Sequence, residues 1–137
     1  MTGGPIDLGL GDSWPYRPTA ATLDTGSVAI GWGTWNGSNW DAHVRLFDSA
    51  WNPLGAGGAV HTVASFNQEN LELAGLPGGR FVAVWRSDQT TQGDIYARIF
   101  NASGAPEGDE FVVNASTTGN QTNPDISAHA DGSFVVS

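Results

Sequence analysis

Two short segments share an alternating pattern of an acid, a ring, an arginine and a phenylalanine. The segments are Asp41-x-His43-x-Arg45-x-Phe47 and Asp94-x-Tyr96-x-Arg98-x-Phe100. Because side chains alternate between the two faces of a strand, each pattern places its four side chains on one face. A carboxylate and a guanidinium on one face could bind a ligand, but they also form structural ion pairs and Arg–aromatic stacks. Since a catalytic site is needed once and this pattern occurs twice, the repetition favours a structural role.

A second group of residues has no counterpart in the other copy of the sequence. Trp35-Asn-Gly-Ser-Asn-Trp40 predicts a loop rich in indole and amide groups, and Trp14-Pro-Tyr16-Arg17 is equally unmatched. Indole rings stack on the apolar face of a sugar while amides bind its hydroxyls, which predicts lectin-like carbohydrate binding. The alternative is that the tryptophans fill gaps at an edge or at an oligomer contact. The candidate ligand-binding residues are Trp35, Asn36, Asn39, Trp40, Asp41 and Trp51.

Signals for metal binding and catalysis are weak. The three histidines lie in different predicted strands without ligand spacing, and neither an Asp-x-Asp-x-Asp-Gly loop nor a glycine-rich calcium nonapeptide is present. We therefore predict no metal site and no cofactor, while weak calcium coordination by Asp88, Asp94, Asp109 and Glu110 stays open. The chain has no cysteine and no Gly-x-Ser-x-Gly motif, so we predict that it is not an enzyme. A glycoside hydrolase is the remaining catalytic alternative, because it needs only two carboxylates that face one cleft.

Composition predicts an acidic all-β protein. The chain has 137 residues, 19 glycines and a formal net charge of −9, and its five basic residues are all arginine. No segment shows apolar residues at helical spacing. The charge argues against nucleic-acid binding, and no apolar run is long enough to cross a membrane, so we predict neither partner. Residues 1–7 lack the basic start and apolar segment of a signal peptide.

The chain contains an internal repeat with a period of 53 residues. A gapless comparison of residues 18–70 with residues 71–123 gives 13 identities, and Gly26, Gly79 and Gly132 mark the same place in three copies. A fixed period of this length indicates one supersecondary unit that needs neighbours to bury its faces. Glycine at that place predicts a tight hairpin with a positive φ angle.

Each repeat predicts four strands. They lie at residues 18–23, 27–35, 41–47 and about 59–63 in the first copy, and at 71–76, 80–87, 94–100 and 110–114 in the second. The second strand, with Trp32 or Trp85 at its centre, is apolar or small on both faces, so a neighbour should cover each face. Antiparallel four-stranded units of this period predict β-propeller blades. A tandem β-sandwich is the alternative.

We predict that the chain is a single repeat domain made of complete and partial copies. Residues 18–70 and 71–123 form complete blades, residues 124–137 begin a third, and residues 1–17 supply a fourth strand, at residues 6–9, and a linker. About two and a half blades cannot close a ring. We therefore expect either homo-oligomerisation that completes a ring or a place in a longer repeat array.

Two stretches resemble a known repeat. Residues 120–136 (NQTNPDISAHADGSFVV) and 95–114 (IYARIFNASGAPEGDEFVVN) are similar to the two halves of a tandem repeat in very large bacterial surface and secreted proteins. Those proteins often carry haemolysin-type calcium-binding repeats or cadherin-like modules. The resemblance implies a propeller-like, non-catalytic interaction module that is secreted or at the cell surface. Residues 36–40 and Trp51 depart from the pattern.

Overall fold

A computed structural model describes residues 15–90 and 92–137 of the chain. These residues form strands and turns without a helix, which confirms the predicted all-β class. Two four-stranded sheets and one two-stranded sheet follow one another along the chain. The strands are β1 (Tyr16–Thr22), β2 (Val28–Trp35), β3 (Trp40–Phe47), β4 (Pro53–Ala59), β5 (Gln68–Leu76), β6 (Arg80–Ser87), β7 (Asp94–Phe100), β8 (Phe111–Val112), β9 (Ile126–Ala128) and β10 (Phe134–Val136).

Both larger sheets are antiparallel, with their strands in chain order. The pairing register repeats with the 53-residue period, because Val28 lies opposite Phe47 while Phe81 lies opposite Phe100. In the third sheet, β9 and β10 form a hairpin. The predicted antiparallel four-stranded repeat is therefore confirmed.

Glycine closes the first hairpin of each repeat, as predicted. Gly26, Gly79 and Gly132 have φ angles of 83°, 74° and 89°, a region that glycine enters without steric cost. The amide of Gly26 donates to the carbonyl of Leu23 over 2.9 Å, and the amide of Gly132 donates to the carbonyl of His129 over 3.0 Å. The period thus marks a hairpin turn at the same place three times, although in the second turn Gly78 also has a positive φ angle, of 78°, and the Gly79 amide donates to Asp24 over 2.7 Å.

The predicted position of the fourth strand is wrong in the first repeat. The sequence predicts residues 59–63, whereas β4 begins at Pro53. Pro53 pairs with Phe47 directly after a turn in which the Asp48 carboxylate accepts the amide of Asn52 over 2.8 Å. Proline and glycine in this segment indicate a turn, but proline is tolerated on an edge strand where its missing N–H is not needed.

The first strand of each complete repeat begins earlier than predicted. β1 and β5 start two and three residues before the predicted positions. Arg17 and Asn70 have φ angles of 48° and 55°, and the pairing register of each strand shifts there. The strand therefore continues through a bulge, where the turn-forming amides of the sequence predict a connection.

The first two sheets pack face to face, and the two faces in contact differ in the size of their side chains. The second sheet contributes large buried side chains, including Trp85 and Phe81, and the first contributes small ones such as Ala29. Gly31 belongs to the small face, because a Cβ there would lie 2.6 Å from Cδ2 of Leu71. Large side chains therefore fill the space that small ones leave.

The second sheet is covered on its other face as well. Val82 and Val84 pack with Ile126 and Phe134 of the β9–β10 hairpin. Residues 81–85 are each 0% exposed, which confirms that neighbours cover both faces of this strand. Sheet, sheet and hairpin thus form three layers. The predicted N-terminal strand at residues 6–9 lies outside the described residues.

Candidate functional site

The repeated rings lie on tryptophans of the neighbouring strand. Tyr96 stacks on Trp85 with ring centroids 6.3 Å apart, and His43 stacks on Trp32 at 5.9 Å. Trp85 and Tyr96 are buried between the first two sheets. Each pair lies within its own sheet, so these contacts belong to the scaffold.

The repeated arginines and acids also contact the scaffold. The Arg45 guanidinium lies 5.8 Å from the centroid of the Phe47 ring, and Arg98 donates to a backbone carbonyl before β8 over 2.9 Å. Asp94 is 1% exposed and accepts the side-chain amide of Asn114 over 2.8 Å. These geometries favour the structural interpretation of the repeated pattern.

Three aromatic side chains meet at the turn between β2 and β3. The Tyr16 and Trp40 centroids are 5.0 Å apart with a 37° tilt, and those of Trp35 and Trp40 are 5.6 Å apart with a 59° tilt. Tyr16 and Trp35 are 52% and 51% exposed. We call Tyr16, Trp35 and Trp40 the aromatic patch. It presents two rings to solvent, and both of them contact a third.

Strand pairing explains why these rings meet. Trp35 lies opposite Trp40, and Tyr16 lies opposite Gly33. Residues 33 and 35 share a face because side chains alternate along β2. A Cβ on Gly33 would lie 3.8 Å from Cε3 of Trp40 and 3.4 Å from the Tyr16 carbonyl. Both are ordinary van der Waals distances, so Gly33 lies directly against the Trp40 ring and the β1 backbone.

The loop beside the patch is held by Asn36. Its Oδ1 accepts the amides of Ser38 and Asn39, each over 2.9 Å, and its Nδ2 donates to Asp41 over 2.8 Å. The Asn39 side chain donates to the carbonyl of Ala64 over 3.3 Å. Asn36 thus serves to shape the loop, while Asn39 has one long hydrogen bond and lies next to Trp40.

Asp41 lies on the opposite face of the sheet from Trp40. Its Oδ1 is 3.5 Å from Nε2 of His61, whose Nδ1 is 3.0 Å from the Val63 carbonyl. Burial lowers the pKa of His61 and of the neighbouring His43 below 6.5, and the Asp41 charge partly offsets this. Asp41 therefore belongs to a buried polar cluster behind the sheet.

Trp51 is also separate from the aromatic patch. It lies in the turn between β3 and β4, where it is 46% exposed and has a φ angle of 66°. The patch lies at the other end of β3, and eight residues of strand span roughly 23 Å. Of the six predicted residues, the structure brings together Trp35, Trp40 and the loop between them on one face, while Asp41 accepts a hydrogen bond from Asn36 on the other face and Trp51 lies apart.

Charged residues occupy the equivalent place in the second repeat. Arg86 lies 2.6 Å from Asp88 and 3.7 Å from Glu69. A Cβ on Gly93 would overlap the Arg86 side chain. These positions correspond to the patch and Gly33 through the 53-residue period, so the patch occurs in the first repeat alone among the described residues.

The candidate set did not include Tyr16. Its segment is unmatched in the sequence, but its contact with Trp40 depends on how β1 pairs with β2. A signal does exist in the repeat alignment, which places Tyr16 over Glu69, Gly33 over Arg86 and Trp40 over Gly93. The same alignment places Trp35 over Asp88, so the replacement of Glu69, Arg86 and Asp88 by an aromatic set identifies all three positions of the patch.

No group of three or more potential metal ligands occurs within residues 15–90 and 92–137. Two of the carboxylates that keep calcium binding open in the sequence have different partners. Asp88 lies 2.6 Å from Arg86, and Glu110 accepts the amide of Thr62 over 2.8 Å. In the same part of the chain, no helix is long and apolar enough to cross a membrane.

Comparisons with known proteins give no assignment. The chain matches no protein-family model, and no curated protein or solved structure matches it.

Proposed function

We propose that this chain is a non-catalytic repeat module that binds carbohydrate through the aromatic patch. The half-exposure of Tyr16 and Trp35 carries this proposal. Trp40 packs against both of these rings, yet each of them leaves about half of its surface in water. Adjacent exposed aromatic surfaces of this kind are typical of binding sites.

The surroundings of the patch suit a sugar. Aromatic rings cover the C–H face of a pyranose, while its hydroxyls need donors and acceptors at the rim. Arg17, Asn39 and Asn70 supply such groups near the rings. Because the chain carries a net charge of −9, an anionic glycan would be repelled, and we propose a neutral one.

The proposed architecture is a set of propeller blades. The three layers stack in chain order, and each directs the same face toward the next one. This arrangement is expected of propeller blades, whereas a sandwich consists of two sheets that face each other. A groove of about 470 Å³ is lined by matching positions of three first strands, among them Thr22, Gly75 and Ala128. Equivalent strands that line one groove are expected around the axis of a propeller.

The surroundings of Asp41 support a binding role over a catalytic one. This carboxylate is next to Trp40 in sequence but points behind the sheet, where Asn36 donates to it over 2.8 Å and Nε2 of His61 lies 3.5 Å away. A glycosidase needs two carboxylates that face one cleft with the substrate.

Assembly is the second candidate function. Val135 is 59% exposed, although Val82, its equivalent in the second repeat, is buried under the hairpin. Phe111 and Val112 are 43% and 40% exposed. A further sheet, from a longer array or from a second copy, would cover such residues. In either case we propose a secreted or cell-surface location, as the sequence resemblance implies.

A glycan array with the labelled protein, followed by tryptophan fluorescence titration of the positive glycans, tests the proposed function. Binding should change the fluorescence of the wild-type chain, and a Trp35→Ala, Trp40→Ala double variant should lose that change. Native mass spectrometry on the same samples separates the alternative. Oligomers that grow with concentration, without any array signal, would favour assembly.

A further inference from the structure

A row of hydrogen-bonding side chains begins beside the aromatic patch. Arg17 follows Tyr16 and donates from Nη1 to Oδ1 of Asn70 over 2.6 Å. Asn70 in turn donates from Nδ2 to Oδ1 of Asn123 over 3.1 Å. We call Arg17, Asn70 and Asn123 the polar row. It crosses all three layers near the starts of their first strands, β1, β5 and β9.

The three residues occupy the same place in successive repeats. Their φ angles are 48°, 55° and 54°, so the backbone presents each side chain in the same way. Both hydrogen bonds are exposed to solvent. Since packed sheets lie about 10 Å apart, the row extends roughly 20 Å away from the patch.

Asn70 keeps hydrogen-bonding capacity within the row. An amide side chain has two N–H groups and an oxygen with two lone pairs. The bonds to Arg17 and Asn123 use one N–H and one lone pair of Asn70. A hydroxyl group lying over the row can therefore bond to Asn70 without breaking it.

The tilt of the patch rings argues against a flat ligand surface. Tyr16 and Trp35 are inclined by 37° and 59° to the Trp40 ring, which both contact. The two centroid separations of 5.0 and 5.6 Å place Tyr16 and Trp35 at most 10.6 Å apart. Rings that are inclined in this way suit different sugar units of one flexible chain.

We propose that the ligand is an extended neutral oligosaccharide whose sugar units stack on Trp35 and Tyr16 and continue along the polar row. This inference rests on the proposed carbohydrate-binding function. It adds that the site extends across three layers and that Arg17, Asn70 and Asn123 determine the preference for ligand length.

Calorimetric titration with cello-oligosaccharides and manno-oligosaccharides of one to six units tests this proposal. Affinity should rise at least tenfold from the monosaccharide to the hexasaccharide. Asn123→Gly removes one end of the row and retains the positive φ angle, because glycine adopts it freely. This variant should lower the affinity for the hexasaccharide at least threefold and leave the disaccharide unchanged. His129→Ala, an exposed change beyond the other end of β9, is the control and should alter neither.

The outcomes separate this inference from the function on which it rests. Equal affinity for one and six units would overturn the extended site and leave sugar binding intact. An equal loss for short and long ligands in Asn123→Gly would also overturn it. If no member of either series binds, the proposed function fails together with the inference.

Discussion

Trp40 and Arg86 fill equivalent space on successive sheets, although they extend from different strands. Trp40 extends from β3 and lies beside Gly33 of β2, while Arg86 extends from β6 and lies over Gly93, which precedes β7. In the repeat alignment Gly33 matches Arg86, and Trp40 matches Gly93. The large side chain has thus changed strands between the two copies.

This exchange gives the two copies different surfaces on one backbone. In the second repeat the space holds an arginine whose charge is matched by Asp88 and Glu69. In the first repeat it holds an indole that supports the exposed rings of Tyr16 and Trp35. The scaffold can therefore remain while one copy acquires a binding surface.

Replacement of Gly31 with alanine should destabilise the contact between the first two sheets. The added Cβ would lie 2.6 Å from Cδ2 of Leu71 and 3.2 Å from Cδ1 of Leu73, so two buried leucines would have to move. Overpacking of this kind costs about 1–3 kcal/mol of unfolding free energy. Urea unfolding followed by fluorescence measures the loss.

Gly58→Ala is the matched control for that substitution. A Cβ on Gly58 meets no atom within 4 Å, and the φ angle of this residue is not positive. Stability should stay the same or rise by about 0.4–1 kcal/mol, because alanine lowers the entropy of the unfolded chain. Equal destabilisation by both substitutions would contradict the packing described for Gly31.

Replacement of Gln68 with leucine should leave a buried indole N–H without its partner. Trp85 Nε1 donates to Gln68 Oε1 over 2.8 Å, and the two residues are 0% and 1% exposed. An unsatisfied buried donor costs about 1–3 kcal/mol. The cost should be smaller in a Trp85→Phe background, where no N–H remains, and a double-mutant cycle of urea unfolding measures the difference. The same cost in both backgrounds would show that this hydrogen bond does not stabilise the core.

Stability should fall when the pH is lowered from about 7.5 to about 5.5. Burial lowers the pKa of His43 and His61 below their usual 6.5. Between 6.5 and the lowered values the unfolded chain binds more protons, so acid favours unfolding. The carboxylates of Asp24, Asp48 and Asp131, whose hydrogen bonds lower their pKa below 3.8, contribute only at more acidic pH.

Urea unfolding at the two pH values tests this directly. His61→Gln should reduce the difference in unfolding free energy, because it removes one buried titrating group. His129→Gln, at an exposed position, should leave the difference unchanged. Greater stability at the lower pH would contradict this prediction, because it would mean that the Asp41 charge raises the pKa of His61 by more than burial lowers it.

Much of this fold can be predicted from the sequence, because turn-forming residues mark where the apolar segments begin and end. β6 and β7 occupy the predicted residues 80–87 and 94–100. β4 differs because its local composition indicates a turn, whereas pairing with Phe47 makes it an edge strand. Local sequence contains no information about that tertiary pairing.

The candidate site could be predicted only in part. Trp35 and Trp40 meet because they are hairpin partners, which sequence spacing can indicate. Tyr16 joins them through the pairing of β1 with β2. Strand alternation directs Asp41 to the other face, and Trp51 lies at the far end of β3. Residue type and absence from the second repeat therefore group six residues in the sequence, whereas the fold places them at separate sites.

Calorimetric titration of a glycan that binds the wild-type chain into Trp35→Ala and Trp51→Ala is the most direct test of the proposed site. The two indoles are similarly exposed, at 51% and 46%, but lie at opposite ends of β3. Trp35→Ala should lower the affinity at least tenfold, and Trp51→Ala should leave it unchanged. Unchanged binding by Trp35→Ala, or an equal loss in both variants, would contradict carbohydrate binding at the aromatic patch.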